Sequence, residues 1–140
     1  KLRGTIPSEL GNTSLIELNL DRNDLSGSIP TAMSLLKELY ILDLSNNKLS
    51  GSLPSISSKS LVNVDLSKNK LSGELLPILG WPITLKTLKL SENKLHGRIP
   101  SYFAELPNIN TFLLERNDLD GEVPPILCSH FRAKPSYSFS

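Results

Sequence analysis

The sequence predicts an α/β-type repeat solenoid, a right-handed superhelix with a parallel concave β-sheet and an irregular or 3-10 convex side. Three observations carry this. Five segments, Leu15 to Pro30, Leu39 to Pro54, Leu61 to Gly73, Leu85 to Pro100 and Ile109 to Pro124, follow the template LxxLxLxxNxLxG. Their asparagines, Asn23, Asn47, Asn69, Asn93 and Asn117, are 24, 22, 24 and 24 residues apart. Four of the five segments continue into xΦP, where Φ is Ile, Leu or Val. A fixed period in this range marks stacked turns, none of which can bury its apolar face without its neighbours.

The residues of one turn have separate tasks. Leu39, Leu42 and Leu44 surround a short alternating segment, as in a strand with one buried face. Asn47 ends that strand, because its amide supplies donors and an acceptor to backbone groups at a bend. Leu49 returns to the core. Gly51 allows a backbone conformation or approach that a Cβ would obstruct, and Pro54 has no N–H with which to extend a ladder. One strand per turn is expected, around residues 17–21, 41–45, 63–67, 87–91 and 111–115. Leu18, Leu42, Val64, Leu88 and Phe112 then point inward, since a one-residue slip would expose the whole set.

In chain order, residues 1–14 form a partial turn ending in Leu2-Arg3-Gly4-Thr5-Ile6-Pro7 and a connection that holds the sequon Asn12-Thr13-Ser14, a candidate glycosylation site. Full turns start at 15, 39, 61, 85 and 109. Thr31 to Glu38 reads as a short helical or 3-10 piece. The second turn is two residues short in the polar run Ser55 to Ser60. The third is irregular: Pro77 is displaced by one residue, and Trp81 is expected to cap the core. The array runs to residue 128, and 129–140 is a non-repeat tail whose Phe131, Tyr137 and Phe139 could fold over the fifth turn. With no polar cap at either end, the chain is expected to be a fragment of a longer array, with open edges that favour self-association.

Net charge is +1, with acids and bases interspersed, which gives no nucleic-acid footprint. No apolar run approaches the ~18 residues of a membrane span. The single cysteine, Cys128, excludes an internal disulfide, and His96 and His130 are too few for a zinc set. Asp43 and Asp65 occupy the same strand position in successive turns, about 4.8 Å apart. That spacing suits acid–base work or cation binding, but a solvated ladder is the expected reading. Neither a catalytic residue, a cofactor site nor a metal site is expected, and the chain is read as a non-enzyme.

The 24-residue form with LSGxIP resembles the plant-specific leucine-rich repeats in the extracellular domains of receptor-like kinases, receptor-like proteins and polygalacturonase-inhibiting proteins. Phe112-Leu113-Leu114-Glu115-Arg116-Asn117, followed by Leu127-Cys128, resembles the late repeats of receptor-like proteins. This resemblance implies a protein-recognition module at the extracellular face of the plasma membrane or in the apoplast. Its implied partner is a peptide or protein ligand, or a co-receptor ectodomain. The alternative it leaves is a secreted inhibitor of the polygalacturonase-inhibitor type, which would need more turns and paired cap cysteines.

Stacked strands present their outward residues as columns on one extended surface. The candidate contact residues there are Arg22, Tyr40, Ile41, Asp43, Asn63, Asp65, Lys89, Leu113 and Arg116. Among them Tyr40, Arg22 and Arg116 are of the types most often energetic at interfaces.

Overall fold

The computed structural model describes residues 1–76, 80–131 and 137–138. The displaced Pro77 and the tail's Phe139 lie outside the described residues, as do the side chains of Phe131 and Tyr137. Each full turn contributes a strand to a front sheet: β2 (Glu17–Asn19), β4 (Ile41–Asp43), β6 (Asn63–Asp65), β8 (Thr87–Lys89) and β10 (Thr111–Leu113). All pair in parallel and in register, so that Leu18, Leu42, Val64, Leu88 and Phe112 form one row. These five side chains are buried, as their position in the template requires. The strands are three residues long where five were expected, yet pairing continues past them. Leu20, Leu44, Leu66 and Leu90 each donate an N–H to the next turn at 2.8–2.9 Å. Parallel strands joined by a crossover wind right-handed, which gives the superhelix its hand.

The expectation of one strand per turn is corrected by a second parallel sheet. It comprises β1 (Arg3–Gly4), β3 (Asp24–Ser28), β5 (Lys48–Gly51), β7 (Lys70–Glu74), β9 (Lys94–Gly97) and β11 (Asp118–Leu119). The segment after each asparagine has no apolar alternation to announce a strand. Its backbone nevertheless runs beside the same segment of the next turn, and its polar groups pair there. Register differs from that of the front sheet. Leu25, Leu49, Leu71 and Leu95 lie opposite Gly4, Gly27, Gly51 and Gly73 of the preceding turn. These glycines have φ between 77° and 92°, a left-handed backbone that favours glycine.

The asparagines fasten one turn to the next. Asn47 Oδ1 accepts the Leu25 N–H at 3.0 Å, and its Nδ2 lies 2.9 Å from the Leu20 carbonyl and 3.1 Å from those of Leu44 and Ser45. Asn69 and Asn93 repeat the pattern one and two turns on. Asn117 accepts from Leu95 and donates to Leu90 and Leu114. In every turn the residue before the asparagine is left-handed, with φ 54–58° at Arg22, Asn46, Lys68, Glu92 and Arg116. For a side chain with a Cβ this costs roughly 1–2 kcal/mol.

The convex side carries 3-10 segments at Ser8–Asn12, Thr31–Leu35 and Ser101–Glu105. The shortened second turn has none. There Ser58 turns inward, its hydroxyl 2.9 Å from the Lys37 carbonyl and 2.7 Å from that of Leu39. Thr84 and Asn108 make comparable bonds in the next two turns. Trp81 is buried as expected, with its Nε1 lacking a partner among the described residues. At the far end Phe103 lies between Tyr102 and Phe112, at 4.3 and 4.5 Å between ring centres. Burial pushes the Tyr102 phenol well above its usual range. A helix, α1 (Pro125–Phe131), crosses the boundary drawn at residue 128, and β12 (Tyr137–Ser138) pairs with β10.

Replacing Asn47 or Asn69 by Leu leaves backbone groups of two turns unpaired, at about 1–3 kcal/mol. A drop of several degrees in the thermal midpoint is expected by circular dichroism, and equal midpoints would remove the ladder from this account. Gly11 gives a steric test. A Cβ there would lie 2.3 Å from the Ala32 carbonyl oxygen, against backbone that cannot easily move. Gly11→Ala is therefore expected to lower the midpoint, by an overpacking cost of about 1–3 kcal/mol.

Candidate recognition surface

In each front strand the middle residue is buried and the two flanking ones face outward. Parallel register sorts the outward residues into columns. One holds Glu17, Ile41, Asn63, Thr87 and Thr111; the other holds Asn19, Asp43, Asp65, Lys89 and Leu113. Between them lies a shallow groove of about 350 Å³ lined by Ile41, Asp43, Asn63, Asp65, Thr87, Lys89 and Thr111. Five of the nine candidate residues thus meet in one place. Thr87 and Thr111 were not among the candidates, although sharing a column with Ile41 and Asn63 was the signal that marked them.

Tyr40 and Ile16 lie upstream on the same face, 43% and 65% exposed, joined by the Tyr40 N–H to the Ile16 carbonyl at 2.7 Å. Val62, at the same position of the third turn, is buried. Its compact side chain stands between turns that carry the longer Tyr40 and Lys86 in the same position. Leu113 is half-buried on β10, outside the groove lining.

Arg22 and Arg116 are not brought to the groove. They sit at left-handed bends, where Arg22 Nε is 3.4 Å from Asp21 and Arg116 Nη1 is 3.3 Å from Glu92. Glu92 also takes Lys68 at 3.7 Å. Arg22 instead lines a second groove, of about 520 Å³, with Lys1, Asp24, Lys48 and Lys68. Within it Lys48 Nζ is 2.8 Å from Asp24 Oδ1. That hydrogen bond and the ammonium charge hold the Asp24 carboxyl below its ordinary pKa.

The paired aspartates resolve into structural and surface halves. Asp43 Oδ1 accepts the Ser45 N–H at 2.9 Å, and Asp65 Oδ1 accepts the Ser67 N–H at 3.0 Å. Asn19 does the same for Asp21 at 3.1 Å. One oxygen of each side chain therefore closes the bend below it. Asp65 Oδ2 is 3.3 Å from Lys89 Nζ. Among the described residues no group of three or more His, Cys, Asp or Glu is placed to hold a metal ion, and no helix is long and apolar enough to cross a membrane.

A family model described as Leucine Rich Repeat matches residues 14–36, 38–59, 60–81 and 84–106. No curated protein matches the chain. Among solved structures, the chain is similar to the ectodomain of the Arabidopsis thaliana membrane receptor kinase GASSHO1/SCHENGEN3, in complex with CASPARIAN STRIP INTEGRITY FACTOR 2. Identity is 36% and the TM-score 0.84, over 96% of this chain and 16% of that one. It is similar to the Arabidopsis receptor kinase HAESA, in complex with the peptide hormone IDA and the co-receptor SERK1. Here identity is 35% and the TM-score 0.87, over 93% of this chain and 22% of that one. A plant ice-binding protein is 36% identical with a TM-score of 0.79, over 91% of this chain and 43% of that one. The chain thus spans less than a quarter of either receptor chain.

The Asp24–Lys48 pair yields a pH prediction. A depressed folded-state pKa means that the pair's contribution is present above the unfolded value and is lost as pH falls through the folded one. By NMR titration, Asp24 is expected to ionise below its ordinary 3.8 and to return toward it in Lys48→Met or in high salt, which screens exposed charges. Coincident titrations of the two proteins would show that Lys48 is not the cause.

Proposed function

The chain belongs to the leucine-rich repeat family, and from that premise we propose that it is a recognition module of a plant cell-surface receptor ectodomain. It binds a peptide or protein ligand, or a co-receptor, through its concave face. The observation that carries this reading is the groove, where Ile41, Asp43, Asn63, Asp65 and Lys89 converge on a rigid, in-register sheet. Polar groups fixed on a stiff scaffold, beside apolar surface, are what an extended chain needs for oriented binding. Similarity to two receptor ectodomains solved with their ligands supports the same choice. Tyr40 and Leu113 would extend the contact at either end of the groove, and Arg22 and Arg116 would serve a partner that reaches the bend ridge.

The same reading places the chain at the extracellular face of the plasma membrane or in the apoplast, with no catalytic role. Asn12 is exposed at the end of a convex 3-10 segment, so a glycan there would leave the concave face free.

The test uses immobilised chain, exposed first to a peptide fraction of plant extracellular fluid and then to purified co-receptor ectodomains. Ile41→Arg fills the groove, whereas Leu35→Arg changes an exposed residue at the end of a convex 3-10 segment. The expected result is roughly a tenfold or greater loss of affinity for the first variant, about 1.4 kcal/mol, and none for the second. Retention of nothing, or binding indifferent to Ile41→Arg, would count against the proposal.

A further inference from the structure

Charge is unevenly spread along the concave face. Glu17, Asp43 and Asp65 place carboxylates on three successive turns, and the fourth supplies Lys86 and Lys89. Lys89 balances Asp65 within the protein, at 3.3 Å. Asp43 has no such balance. Its Oδ1 is held by the Ser45 N–H, which fixes the direction of the carboxylate. Its Oδ2 has no hydrogen-bond or ion-pair partner among the described residues, and the side chain belongs to the groove lining.

Resting on the reading of this face as a peptide-binding surface, we propose that the groove's occupant presents an arginine side chain to Asp43. A half-buried carboxylate covered by a ligand loses hydration, and that loss is offset only by a cation that also donates hydrogen bonds. A guanidinium suits the place better than an ammonium. It is planar, weakly hydrated and forked, so it can donate to Asp43 Oδ2 and to Asn63, which stands on the neighbouring strand beside Ile41. Ile41, two residues upstream on the Asp43 strand, gives the apolar stem and flat face of arginine a wall to lie against. Lys86 and Lys89 repel a cation on the turn-four side, which favours a peptide that carries its arginine toward turn two.

Asp43→Asn is a clean probe, because turn one already carries Asn19 at the equivalent position and closes its bend with the same bond. A library of random linear dodecapeptides is selected on the chain, and the enriched sequences are synthesised with arginine, lysine or citrulline at each basic position. The expected outcome is arginine enriched at one position, with a tenfold or greater loss of affinity on change to citrulline, a smaller loss with lysine, and loss of the arginine preference in Asp43→Asn. Peptides that compete for the groove, and are blocked by Ile41→Arg, but carry no fixed arginine would overturn this inference and leave the recognition reading standing. Selection of no peptide by the parent chain or by Asp43→Asn would overturn this inference and, with it, the reading of the face as a peptide-binding surface.

Discussion

Everything in this structure depends on how an asparagine amide joins two turns. A parallel stack has no hairpins to hold adjacent strands together, so contact between turns must be renewed at each bend. At the bend the chain reverses direction and its backbone polar groups would otherwise face the interior unpaired, which is costly. Asn47 meets this with one side chain, accepting from Leu25 and donating to Leu20 across the turn boundary while it serves Leu44 and Ser45 in its own turn. Aspartate lacks the donors, and leucine has neither donor nor acceptor. The left-handed residue before each asparagine is a consequence. Arg22, Asn46, Lys68, Glu92 and Arg116 differ in chemistry but share φ 54–58°, so the ladder imposes the conformation and the residue type does not.

The ladder also determines what the surface can do. Fixing the bends holds the front strands in register, and register makes columns from residues that are 22 or 24 apart in the chain. Asp43 and Asp65 are adjacent for this reason alone. The residue at their strand position then closes its own bend with one oxygen, as Asn19 does in turn one. A side chain that looked free to titrate or bind is therefore half committed to the fold. The other half is what a partner meets, in an orientation set by the scaffold before any partner arrives.

The template made the inward rows legible, because a leucine at a fixed offset from an asparagine has no alternative to the core. Leu18, Leu42, Val64, Leu88 and Phe112 lie where periodicity put them. The second sheet was illegible for the same reason in reverse: Lys48-Leu49-Ser50-Gly51 carries one apolar residue and a left-handed glycine, so its pairing is a property of stacking rather than of pattern. Columns could be drawn from sequence, but depth within a column could not. Val62 is buried between turns carrying Tyr40 and Lys86, while Ile16 in the same row is 65% exposed. Arg22 and Arg116 were drawn to the site by residue type, but the bend turns them to the ridge and gives each a carboxylate partner.

A repeat fold alone leaves function open, and the similarity to a plant ice-binding protein at 36% identity makes the point for this one. What separates one use of the stack from another is where its column regularity breaks. The row Ser45, Ser67, Ser91 is buried and small in three successive turns, and the fifth turn replaces it with Glu115, whose Oε2 is buried without a partner among the described residues. The row Asn19, Asp43, Asp65 gives way to Lys89 and then Leu113. The asparagine row nevertheless continues through Asn93 and Asn117, although Asn117 Nδ2 reaches only the Leu90 and Leu114 carbonyls among the described residues, where Asn93 also reaches that of Ser91. The stack can therefore vary its outward chemistry turn by turn at constant geometry. Here one column passes from Asn19 through two aspartates and Lys89 to Leu113, while its neighbour runs from Glu17 through Ile41 and Asn63 to two threonines.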